Sequence, residues 1–370
     1  MSLLLIVILV ISTAVLGLVL YVRLRVNNGA NKNDYTRTID KTVNQFFKGR
    51  LPNALLIGIY KNKAISFYSY GKENPDHTTL FQIGSLSKLF TSALLLILDK
   101  EGTLDKNTSL EAILGDQYEL SAEAKKVTLY QLATHTSGFP RVPETLLTIV
   151  EKNAINGNPL ADPYLKIELT DVLEYLKTTQ GKQKPGKFEY SNYGMGLLGH
   201  ILEMVTHKNL EVLAQEKLLA PLGMKNTAIT LPSNTKTKLT QGYDANGKKA
   251  KPWTFTALGG AGAFNSNVTD LMQFVKANID DQTALSTTLI NMQKTIDKKS
   301  MGWMHTSIIE KLLGNKTMVW HNGMVGGYAS YMAIDREREA GLVMLSSQAV
   351  DITLLGHKLI NQVRAKVQQA

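Results

Sequence analysis

The chain has 370 residues, of which 44% are hydrophobic, and carries a formal charge of +10. That length supports a sizeable core and one or two domains. It has no cysteine, so disulfides, thiolate catalysis and cysteine-bound metal are excluded.

Residues 2–22 run for 21 residues without a charge. That is long enough to cross a bilayer as a helix. A cleaved signal peptide has a basic start and a shorter apolar stretch, so the segment reads as an uncleaved transmembrane anchor. Arg23 and Arg25 come directly after the span. The positive-inside tendency would place the rest of the chain in the cytoplasm. Residues 27–34 are polar and read as a tether, which leaves 35–370 as the main domain.

Ile39, Val43, Phe46 and Phe47 form a helical stripe. Two strand-like runs come next, Ala54–Tyr60 and Ala64–Tyr70, joined by Lys61-Asn-Lys63 as a hairpin. Then comes Gly84-Ser-Leu-Ser-Lys88 and an almost wholly apolar helix that stops near Gly102. Residues from about 103 to 260 hold mainly helical stripes, loops and turns. Strand-like runs return at Thr317–Asn322, Tyr328–Ile334 and Gly341–Ser346. A stripe at Ile352, Leu355, Leu359, Val363 and Val367 closes the chain. Strands thus fall at both ends, with a helical block inserted between them. The expected fold class is α+β, with one antiparallel sheet built from both chain ends.

Ser-x-x-Lys occurs three times, at Ser69–Lys72, Ser85–Lys88 and Ser233–Lys236. Ser69 lies in a strand-like run and Ser233 in a polar loop after Pro232. Only Ser85 opens a buried helix. There, residues three apart share a face, so hydroxyl and amine can meet. A serine needs a neighbouring base to become a nucleophile, and a buried lysine gives up its charge readily. The helix dipole also favours negative charge developing at Ser85.

Two later segments join it. Tyr190-Ser-Asn192 brings a phenol and an amide onto a loop entering a buried helix. His321-Asn-Gly323 sits in a glycine-rich stretch where backbone N–H groups can approach a ligand. Taken singly, Tyr190 packs, Asn192 caps a helix and His321 is a strand residue. Their joint order is the informative feature.

In that order the chain resembles the β-lactamase-related serine hydrolases, which include penicillin-binding proteins and class C β-lactamases. Leu132-Ala-Thr-His-Thr-Ser-Gly138, Tyr190 to Gly199, Leu219-Ala-Pro-Leu-Gly-Met224 and Gly259-Gly-Ala-Gly-Ala-Phe264 are similar to further family segments. The likeness runs from about residue 35 to 365. It implies an α/β/α sandwich with an inserted helical domain. It also implies Ser85 as nucleophile and Lys88 as its base, paired with Tyr190. Asn192 would orient substrate, and the Ser85 and Met324 N–H groups would hold the oxyanion. His321 would shape the far wall and meet a carboxylate or other polar group, and Gly323 would belong to the same substrate-binding and oxyanion set. His135 reads as structural.

The resemblance further implies a cell-envelope enzyme with its domain outside the cytoplasm, against the charge argument. Its substrate would be a D-Ala-terminated peptide, an ester or a β-lactam, and no cofactor is called for. His-Asn-Gly stands where many class C enzymes carry Lys-Thr-Gly, and a class A Glu-x-x-Leu-Asn is missing. The expectation is therefore a membrane-anchored D-Ala-D-Ala carboxypeptidase or related peptidase. An esterase, a weak class C-type β-lactamase and a non-catalytic binding protein remain open.

An α/β-hydrolase would need Gly-x-Ser-x-Gly, which the chain lacks. The seven histidines, at 77, 135, 200, 207, 305, 321 and 357, show no metal-ligand spacing. The basic loops lack interleaved aromatics, so no nucleic-acid partner is expected. Oligomeric state stays open.

Overall fold

The computed structural model describes residues 35–147, 149, 162–179, 185–280, 282–294, 300–305 and 318–365. One six-stranded antiparallel sheet organises them, in the order β2-β1-β8-β7-β6-β5. Its strands are β1 (Leu55–Lys61), β2 (Ala64–Tyr70), β5 (Met304–His305), β6 (Met318–Val325), β7 (Tyr328–Asp335) and β8 (Ala340–Ser346). A second ladder pairs β3 (Phe81–Gln82) with β4 (Asn265–Ser266).

The sheet joins the two halves of the sequence. β1 pairs with β8 from Leu55↔Ser346 to Lys61↔Ala340. Both strands are buried along their whole length, as central strands packed on two faces must be. β2 alternates between exposed and half-buried residues because it is an edge strand.

Helices cover both faces. On one lie α1 (Tyr35–Phe47) and the C-terminal Thr353–Ala365 helix, which bury Ile39, Val43, Leu355 and Leu359 against Ile57, Leu342 and Met344. On the other lie α2 (Ser87–Lys100) and the Val268–Ile279 helix. Phe90 of α2 is fully buried and meets Phe264 and Phe274 edge-on at 5.3 and 5.2 Å. Glycines let the Val268–Ile279 helix lie close to the sheet. A Cβ on Gly58 would come within 2.8 Å of Met272, and one on Gly341 within 2.2 Å of Val275.

Between β3 and β4 the described chain is helical, with α3 (Asn192–Thr206) the longest element there. Ser191 caps α3 by accepting the Gly194 N–H at 2.8 Å.

The transmembrane helix expected as part of this fold is corrected. Among the described residues no helix is long and apolar enough to cross a membrane. The segments read as anchor and tether, 2–22 and 27–34, lie outside the described residues, as do Thr317 and Val367. The α+β core is built without them. Two local differences also appear. Ser233–Lys236 forms one helical turn behind Pro232, whose fixed φ suits a helix start. And Ser85 precedes the α-helix, in a 3₁₀ turn over Gly84–Leu86 that runs straight into α2.

Candidate active site

The 3₁₀ turn depends on Gly84, whose φ of +52° is a conformation that favours glycine. A Cβ there would also crowd Met324 N and Val325 at 3.1 Å. Gly323 matters more. A Cβ on it would come within 2.4 Å of Ile83 O and 2.8 Å of Ser85 N. Two glycines therefore let β6 lie directly on the turn that carries Ser85. The Ser330 hydroxyl tightens that contact by donating to Ile83 O at 2.8 Å.

Lys88 sits beneath Ser85 and is fully buried. Its Nζ donates to Ser85 Oγ at 2.9 Å and to Ala261 O at 2.6 Å. Neither acceptor is charged. Burial, helped by the Arg141 charge, holds this amine well below the usual lysine range.

The Tyr190 ring lies 5.0 Å from Lys88 Nζ and 5.2 Å from the Arg141 guanidinium. Burial pushes its phenol up to about 12; a hydrogen bond with Ser85 and the Arg141 charge pull the other way but do not win. Tyr190 is thus held as a neutral hydroxyl beside Ser85.

Two histidines flank it. His135 takes a left-handed conformation at φ +56° and packs its ring 4.6 Å from that of Tyr190. Its Nδ1 accepts the Ser191 N–H at 3.1 Å, so it grips the Tyr190–Asn192 loop. His321 is fully buried, with its ring 6.0 Å from Tyr190. Its Nδ1 lies 2.6 Å from Asn322 O, and a carbonyl can only accept, so that nitrogen carries the proton. Burial, then the nearby Lys88, depress His321 to about 3. Neither ring is placed to carry charge at neutral pH.

Ser85, Tyr190, Asn192, Gly323 and Met324 all line one cleft of about 680 Å³. Lys88 and His321 lie buried behind it. Met324 is exposed at its rim. Asn192 begins α3 and donates to the Tyr164 hydroxyl at 2.8 Å. Tyr164 stacks on Phe255 at 4.8 Å and leans on Trp253 at 5.8 Å, which makes an aromatic wall. The decoys are elsewhere. Ser69 lies in β2 and donates to Pro75 O, and Ser233 lies in its short surface helix.

Sequence reasoning missed Arg141, Tyr164, Trp253 and Phe255. The spacing of Trp253 and Phe255 in an otherwise polar loop was a usable signal; Arg141 gave none. Among the described residues no group of three His, Asp or Glu could hold a metal ion.

This arrangement can activate a hydroxyl and deliver it to a carbonyl in the cleft. Comparison with known proteins identifies the family. The Beta-lactamase family profile matches residues 38–362. A β-lactamase of Pseudomonas fluorescens is 24% identical over 85% of this chain and 94% of its own length. Protein flp of Staphylococcus aureus strain N315 is also 24% identical, over 85% of this chain, which spans 64% of that longer protein. The solved structure of a β-lactamase/D-alanine carboxypeptidase from Pseudomonas syringae superposes with a TM-score of 0.73. It is 22% identical and covers 90% of this chain and all of its own, a likeness of fold. The chain belongs to the β-lactamase family and is a serine hydrolase.

Proposed function

We propose that the protein hydrolyses amide or ester bonds through an acyl-enzyme on Ser85, with D-Ala-terminated peptides as its substrate class. The contact that carries this reading is Lys88 Nζ to Ser85 Oγ, 2.9 Å, from an amine that burial strips of its charge. An unprotonated Lys88 takes the Ser85 proton as the Ser85 oxygen bonds to the carbonyl carbon. The Ser85 and Met324 N–H groups receive the oxyanion, a contribution of about 3 kcal/mol per donor. Tyr190, a neutral phenol, gives its proton to the departing nitrogen or oxygen and takes one back from Lys88. Water then attacks the ester by the reverse proton path and frees the acid. Asn192 and the aromatic wall hold the acyl part.

The peptide class is supported by the neutral His321 in place of a lysine, and by solved structures of similar fold named as a β-lactamase/D-alanine carboxypeptidase from Pseudomonas syringae and a D-alanine carboxypeptidase from Burkholderia cenocepacia. Intact-protein mass spectrometry after brief exposure to penicillin, beside Ser85→Ala, tests it. A lasting adduct on the wild type alone is expected. Rapid consumption of penicillin without an adduct would mean a β-lactamase instead. Intact penicillin with no adduct would overturn the peptidase reading and leave an esterase or a binding protein.

A further inference from the structure

Among the described residues that line the cleft, Arg141 carries the one guanidinium, and no lysine joins it. The one carboxylate is Asp244. Asp244 is already occupied, accepting the backbone N–H groups of Asn246 and Lys248 at 2.9 and 2.7 Å. Arg141, by contrast, lies beside Tyr190.

Its backbone is tied to the site, because Arg141 O accepts the N–H groups of Asn192 and Tyr193 at 3.0 and 3.2 Å. Its side chain is exposed and rests over the Tyr190 ring. No carboxylate of the described residues pairs with it. The planar fork of guanidinium N–H donors matches a carboxylate or phosphate. The charge thus faces the cleft from a fixed backbone, and no carboxylate of the described residues neutralises it.

We propose that Arg141 is a specificity-determining residue that selects substrates bearing an anionic group within reach of the Tyr190–Asn192 side of the cleft. The inference rests on the acyl-enzyme reading and names Arg141 as the residue that reads the substrate's charge; a D-Ala-terminated peptide carries one such carboxylate on its leaving group. The anion could be supplied by the acyl part or by the leaving group, and both present the same carboxylate chemistry.

Two matched ester pairs separate these sources. The first is p-nitrophenyl hemiglutarate against p-nitrophenyl butyrate, which places the charge on the acyl part. The second is 3-acetoxybenzoate against its methyl ester, which places it on the leaving group. The readout is the anionic-to-neutral ratio of kcat/KM in the wild type, Arg141→Gln and Arg141→Lys. In at least one pair the wild-type ratio should exceed that of Arg141→Gln by about tenfold or more, the effect of one charge-assisted hydrogen bond. Arg141→Lys should fall between, since it keeps the charge and loses the fork. Added salt should shrink the wild-type ratio toward that of Arg141→Gln.

A ratio that Arg141→Gln leaves unchanged in both pairs would overturn the proposal. Equal losses on charged and neutral esters would do so too, and would make Arg141 a positioning residue for Tyr190. Failure of every ester to acylate folded wild type, read by intact mass, would instead sink the hydrolase reading and this inference with it.

Discussion

Lys88 and Arg364 are both buried among the described residues, and the fold treats them oppositely. Arg364, 4% exposed, packs its guanidinium on the fully buried Asp335 carboxylate, which Arg338 also meets at 3.1 Å. Burial lowers the Arg364 pKa from its usual value, and Asp335 opposes that effect. Lys88 is more deeply buried, at 0% exposure, and meets only a hydroxyl and a carbonyl. A buried cation with a counter-ion stays a cation; one without gives up its proton. The sheet corner is therefore a structural ion pair, while the amine behind the cleft is left uncharged, as the proposed mechanism requires of its base.

The comparison can be broken most sharply at Ser85. Ser85→Ala should lower turnover by roughly 10⁴-fold or more. Lys88→Met should come next at about 10³-fold, the scale of a lost general base, with a melting temperature close to wild type. A Lys88→Met variant that unfolds while its folded fraction stays active would invert our assignment of the two sites.

Asp335→Ala should behave in reverse. Removing one partner of a buried pair costs about 3–5 kcal/mol, because it strands the other charge. Urea unfolding should register that loss, while kcat per folded molecule stays near wild type. A smaller effect comes from pH. Only unprotonated Lys88 can take the Ser85 proton, so kcat/KM should be present above the Lys88 apparent pKa and fall as pH drops through it. That limb lies below the usual lysine value of 10.5. Tyr190, at about 12, should add no alkaline limb near 10, where an ordinary tyrosine ionises. A bell closing near pH 10 would show Tyr190 unshifted. The smallest effects belong to Ser69→Ala and Ser233→Ala, which should leave activity within about twofold, as surface substitutions do.

Much of this was legible in the residues because the relevant signals are local. The apolar run after Ser85 fixes a buried helix, and Lys88 falls in its first turn, where the helix meets the core. Alternation in Ala64–Tyr70 marks Ser69 as a strand residue and removes it as a rival. Other features arise only through tertiary contact. Gly84 turns the chain so that Ser85 sits before the α-helix, a consequence of β6 pressing on that turn through Gly323. His135 reads as structural, but nothing in the sequence says that its Nδ1 holds the loop that carries Tyr190. Arg141 looks like any other basic residue among 41 until Tyr190 lies under it. Hydropathy alone suggested a spanning helix over 2–22; the sheet and covering helices of the described residues, by contrast, all fall from residue 35 onward.

The most direct test of a Ser85 nucleophile served by an uncharged Lys88 is the rate of fluorophosphonate labelling across pH, read by intact mass. The serine oxygen bonds to phosphorus as fluoride departs, so any substrate preference is bypassed. A single adduct is expected on the wild type and none on Ser85→Ala, with a rate that is already maximal well below pH 10.5. Labelling that persists in Ser85→Ala, or that climbs only as pH passes the ordinary lysine value, would contradict the account.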